Sequence, residues 1–96
     1  MTVRLLVQVD VQAGKAEEQI AAFRSLAALV RAEHGCLSYD LYRVAGHPER
    51  FIIDETWLDR DSLDAHDHTE HMIDAAIANQ SFRAGPAVAT EISVVE

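Results

Sequence analysis

Within 96 residues the spacing of apolar side chains switches four times between two and about 3.6, and few folds accommodate that alternation. From Val3 to Val11 the residues Val3, Leu5, Val7, Val9 and Val11 fall on one face, with Arg4, Leu6, Gln8 and Asp10 on the other. That pattern is a strand with one buried face. Gln12-Ala13-Gly14 breaks it. From Lys15 to His34 the period is helical, and Ile20, Phe23, Leu26, Ala27 and Val30 form one stripe. Glu17 and Glu18 suit the positive end of the helix dipole, and Gly35 stands where a left-handed C-cap is expected.

Cys36 to Arg43 reads as a second strand with Leu37, Tyr39 and Leu41 on one side. A loop carrying Gly46 and Pro48 leads to a third, Arg50 to Trp57, with Phe51, Ile53, Glu55 and Trp57 on one face. A second helical region opens at Asp61-Ser62-Leu63 and runs in two pieces to Asn79, where Leu63, His66, Glu70, Ile73 and Ile77 can share a face. Gly85-Pro86 ends it, and Ala87 to Val95 reads as a fourth strand. The order βαββαβ is the α+β ferredoxin-like sandwich, a single domain over residues 1–96 with both helical regions on one sheet face. The opposite face is left bare and half apolar, which points to a homodimer through that face.

Charge narrows the partners. Eight Lys+Arg against 16 Asp+Glu give a net charge of −8, which repels phosphate backbones and anionic lipid surfaces. Apolar runs fall far short of a membrane span, and the N-terminus lacks the pattern of a signal peptide, so a cytoplasmic protein is expected. A lone Cys36 excludes an internal disulfide and a cysteine zinc site. There is no phosphate loop, dinucleotide fingerprint or serine elbow.

Chemistry concentrates between Asp54 and Asp74, which holds eight of the 16 acids, three of the five histidines and the only tryptophan. His66 and Glu70, and His68 and His71, have chelating spacings, but no His-Glu-x-x-His occurs and no metal site is expected. Glu55 lies between Ile53 and Trp57 on a face turned to the helices, where a carboxylate titrates high and can exchange protons near neutrality. His66 and His71 are its natural partners. Trp57, Phe23, Phe51 and Tyr39 are candidate walls for a flat aromatic ligand, though such rings are more often simply core. Phe82 either closes such a cavity or packs, and Cys36 reads as a small buried apolar residue.

The segments Glu33-His-Gly-Cys-Leu-Ser-Tyr, Pro48-Glu-Arg-Phe, Glu55-Thr-Trp, Leu63-Asp-Ala-His and Thr69-Glu-His-Met, in this order and spacing, resemble the antibiotic biosynthesis monooxygenase (ABM) family over essentially the whole chain. The resemblance implies a dimeric α+β barrel of two ferredoxin-like subunits, each with a pocket between sheet and helices. It also implies oxygenation of quinols or polycyclic phenols by O2 with no cofactor. The chain departs from the anthrone oxygenases, with Ile53 in place of an asparagine, and from the haem-degrading branch, with Val7 in place of another. It looks most like the small quinol-monooxygenase members and a branch that isomerises a phosphorylated signalling molecule.

The expected catalytic residues are therefore Glu55 and His66, with Trp57, His71, Tyr39 and Phe23 contacting substrate. Two other readings stand beside this one: a proton-transfer isomerase using the same carboxylate and imidazole, and a non-catalytic dimeric module that binds a small ligand.

Overall fold

The structure is a computed structural model describing residues 1–96. Its elements are β1 (Val3–Asp10), α1 (Ala16–Arg31), β2 (Cys36–Arg43), β3 (Arg50–Trp57), α2 (Arg60–Asp67), α3 (Glu70–Asn79) and β4 (Val88–Ile92). The sheet is antiparallel throughout, in the order β2-β3-β1-β4. This is the ferredoxin-like α+β arrangement. The two outer positions fall to β2 and β4, and β3 and β1 hold the centre. No helix is long and apolar enough to cross a membrane.

Strand alternation decides which side chains meet the helices. On β3, Phe51, Ile53, Glu55 and Trp57 are buried, while the residues between them are only half-buried. They pack with Val3 and Val9 of β1 and Tyr39 of β2 beneath Phe23, Ala27 and Val30 of α1 and Leu63 of α2. Phe82 packs into the same core. The other sheet face carries Leu6, Gln8 and Ile52 half-buried and Tyr42 and Val88 exposed, with Arg4 paired to Asp54 at 2.8 Å.

Five local expectations are corrected. The helical pattern runs to His34, but α1 ends at Arg31. A tight turn follows, in which the Glu33 amide donates to the Val30 carbonyl and the Cys36 amide to that of Glu33. Gly35 does take the left-handed conformation, at φ 81°, but in this turn and not as the cap of the helix. Leu37 does not share a face with Tyr39. Cys36 pairs with Trp57 and Ser38 with Thr56, so Leu37 is the extra residue of a bulge, and it is exposed. Glu70, Ile73 and Ile77 leave the face of Leu63 and His66, because a break at His68-Thr69 restarts the helix in a new phase; α3 buries no residue at all. Finally, β4 is shorter than the apolar run from Ala87 to Val95, and Val94 and Val95 are exposed.

Candidate active site

The site is assembled by two helix boundaries. Asp59 caps α2 by accepting from the Ser62 amide at 2.8 Å, which sets the phase that turns Leu63 and His66 inward. At the break, Thr69 works in both directions: its hydroxyl donates to the His66 carbonyl at 2.9 Å and accepts from the Met72 amide at 3.3 Å. The new phase brings His71, in the first turn of α3, back towards His66.

Both imidazoles converge on Glu33. The His66 Nδ1–H donates to its two carboxylate oxygens at 2.9 and 3.1 Å, and the His71 Nε2–H donates to Oε2 at 2.7 Å. An ionised carboxylate is only an acceptor, so these ring nitrogens carry the protons. In neutral His66 the lone pair therefore resides on Nε2. His66 is 1% exposed, its ring centroid 4.5 Å from that of Trp57 and 6.2 Å from that of Tyr39. The His71 side chain is 23% exposed and forms the solvent edge of the cluster.

Glu55 lies beneath this clamp. It is buried, and its Oε1 accepts from the Trp57 Nε1–H at 3.1 Å. Burial drives its pKa above the ordinary carboxylate value, opposed by the Trp57 hydrogen bond and by the nearby His66. Tyr39 is pushed upward as well, mainly by burial and then by Glu55, so its hydroxyl keeps its proton. Its ring stacks on Phe23 with centroids 5.0 Å apart. The Cys36 thiol is also raised by burial, which removes thiolate character.

Thus Glu55, Trp57, His66 and Tyr39 are brought together, His71 closes one side, and Phe23 stands behind Tyr39. The four aromatic residues expected to wall one cavity are all buried in the core: Trp57 packs against His66 and Phe23 stacks on Tyr39, while Phe51 lies in the same core beneath Arg43. Sequence reasoning missed Glu33 as a site residue, since the helical pattern carried through it to His34. Two signals were available: its place beside His34-Gly35, where a turn can detach it from the helix, and its position at the head of the first segment that resembles the family.

The histidine pairs whose spacing suggested chelation do not meet. His68 is exposed and its Nδ1 hydrogen-bonds the Asp64 carbonyl, and Glu70 is exposed. A different set, Glu33, His66 and His71, offers ligand atoms within 4.8 Å of one another. A cation there would have to displace both ring protons that now bind Glu33.

Glu55 and Trp57 on the buried face of a ferredoxin-like sheet and the Glu33-clamped His66 and His71 on the helical side form one cluster in an α+β fold. The family model for antibiotic biosynthesis monooxygenase matches residues 2–77, and the chain belongs to that family. Among curated proteins it is 30% identical over 91 residues to the Bacillus subtilis protein named "Putative monooxygenase YcnE", covering 93% of this chain and 96% of the relative. Among solved structures, PA3566 from Pseudomonas aeruginosa is 27% identical with a TM-score of 0.89, over 99% of this chain and 95% of that one. A Caulobacter crescentus protein, provisionally described as an antibiotic biosynthesis monooxygenase, is 30% identical with a TM-score of 0.91, over 99% and 91%. These relationships support a general monooxygenase-like function.

Proposed function

We propose that this protein is a cofactor-independent monooxygenase that oxidises a small quinol or polycyclic phenol with O2. It would act as a cytoplasmic homodimer of single-domain subunits, each comprising residues 1–96, joined through the open sheet face. The observation that carries the reading is the clamp in which Glu33 accepts from both His66 and His71. It fixes one tautomer of His66 and leaves Nε2 as a base in surroundings from which water is largely excluded.

In this reading Nε2 of His66 takes the phenolic proton. The resulting phenolate is electron-rich enough to pass an electron to O2, and recombination forms the C–O bond. Return of a proton and loss of water then break the O–O bond. Quinol plus O2 gives hydroxyquinone plus water, so the substrate itself supplies the reducing electrons. Glu55, whose pKa burial raises above the ordinary carboxylate value, is the candidate to return a proton. Trp57 is the aromatic wall, Tyr39 a neutral donor to a substrate oxygen, Phe23 its stacking support and His71 the polar contact at the solvent edge. Access is expected beneath α3, the helix that buries no residue.

Oxygen uptake by metal-stripped protein with a panel of quinols and anthrones tests the proposal. Uptake above the uncatalysed rate, lost in His66→Ala, is the expected result. Turnover of the same panel without oxygen would assign the cluster to proton-transfer isomerisation instead. Binding without turnover in either atmosphere would leave a ligand-binding module.

A further inference from the structure

One groove of the molecule opens away from His66. It lies between α1 and the edge strand β2, has a volume of about 730 Å³, and is lined by Leu41, Ala27 and Ala28, with the buried Phe23 and Phe51 rings beneath Arg31 and Arg43. Arg24, Arg31 and Arg43 line it against a single acid, Asp40. That is a local excess of positive charge on a chain of net charge −8. The Phe23–Tyr39 stack separates the groove from His66.

The arginines differ in how they are held. Arg31 hydrogen-bonds the Tyr39 carbonyl at 2.6 Å and pairs with Asp40 at 3.2 Å. Arg24 has Ile20, Ala21, Ala27 and Ala28 at its helix-neighbour positions, so no carboxylate is in reach along α1. Arg43 faces Phe51 across the strand pair, with its guanidinium carbon 5.3 Å from the ring centroid. Neither Arg24 nor Arg43 forms an ion pair, whereas Arg4, Arg50 and Arg60 each do.

Two unpaired guanidinium forks beside an apolar floor match one ligand chemistry. The fork binds a carboxylate or phosphate in two places at once, and a flat ring stacks on the open face of a guanidinium. The groove volume falls in the range of small-molecule sites. We propose that this groove binds a small aromatic anion, a one- or two-ring carboxylate or phosphate ester, at a site separate from the His66 centre.

The test is an amide-resolved NMR titration of the intact protein with 2-naphthoate, 2-naphthyl phosphate and the neutral 2-naphthalenemethanol. Saturable shifts are expected around Ala27, Ala28 and Leu41, with an anion bound about tenfold more tightly than the alcohol and more weakly as salt is added. The naphthoate and phosphate arms separate the two anion types. Arg24→Gln with Arg43→Gln should abolish the advantage of the anion, and the double lysine variant should keep part of it. Equal binding of alcohol and anions, no saturable shift, shifts centred on Glu33 and Trp57, or unchanged affinity in the glutamine variant would each overturn the proposal.

Discussion

Asp54 and Glu55 are adjacent carboxylates on β3, and the pleat sends them to opposite faces of the sheet. Asp54 meets Arg4 across the strand pair through two hydrogen bonds, 2.8 and 3.0 Å, and its pKa is lowered, first by that hydrogen bonding. Glu55 meets Trp57 and the underside of His66, and burial raises its pKa. The two side chains carry the same group. What separates them is whether solvent and a cation reach the carboxylate, so the sheet sorts one into a surface ion pair and the other into a desolvated position where it titrates high.

The most severe way to break this comparison is to remove the base from the inner face. His66→Ala should reduce turnover by roughly 10²- to 10⁴-fold, the range of a positioned proton-transfer group, in steady-state oxygen uptake. Glu33→Gln should lower kcat and change the shape of its pH profile while KM moves little, since a neutral amide no longer requires protons at both ring nitrogens. An unchanged pH profile in Glu33→Gln would reduce the clamp to packing.

Next in size is Gly35. A Cβ there would collide with Ser62 Oγ, and the left-handed φ of 81° disfavours any L side chain. Gly35→Ala should destabilise the fold by about 2 kcal/mol or more in urea unfolding, from the backbone conformation and the lost approach to α2 together. It should also displace Glu33, because both residues belong to the turn that delivers the carboxylate to His66. Full stability in this variant would mean that α2 can retreat without cost.

The contrast also marks how far the sequence is legible. Period-two spacing on Arg50–Trp57 was sufficient to turn Glu55 inward and Asp54 outward, because an antiparallel sheet covered on one face leaves no freedom of register. The helical stripe placed Phe23, Ala27 and Val30 correctly for the same reason. Glu33 was not legible: its role depends on α1 ending at Arg31, and helix ends are set by tertiary contacts such as the Leu58 amide donating to the Gly35 carbonyl at 2.7 Å. Leu37 failed because a bulge shifts the alternation by one residue. Ile73 failed because Thr69 begins a new helix, so a single periodic face cannot be carried across it.

A smaller effect sharpens the inner half of the comparison. Between the ordinary carboxylate pKa and its raised native value, Glu55 holds a proton in the folded state that the unfolded chain has released. The native state then binds more protons, so its stability falls as pH rises through that window and is fully retained below it. Glu55→Gln should remove this slope, leaving a variant more stable than the parent at pH 8 and little changed at pH 4, measured by urea unfolding. A parent whose stability is flat across that window would contradict a desolvated Glu55.

The smallest effect belongs to the outer face, where the sign reverses. Asp54 titrates low in the folded chain, so its contribution is present above the ordinary carboxylate range and is lost as pH falls through its native value. Arg4 is 49% exposed and Asp54 20% exposed at the side chain, so water and salt screen most of the attraction. In dilute solution Asp54→Asn should therefore shift the urea midpoint by no more than the scatter of the titration. Raising protein concentration should enlarge the difference, because the proposed dimer would cover this face and desolvate the pair. A large loss already present at high dilution would mean that the outer carboxylate is as dry as the inner one, and the distinction between the two faces would fail.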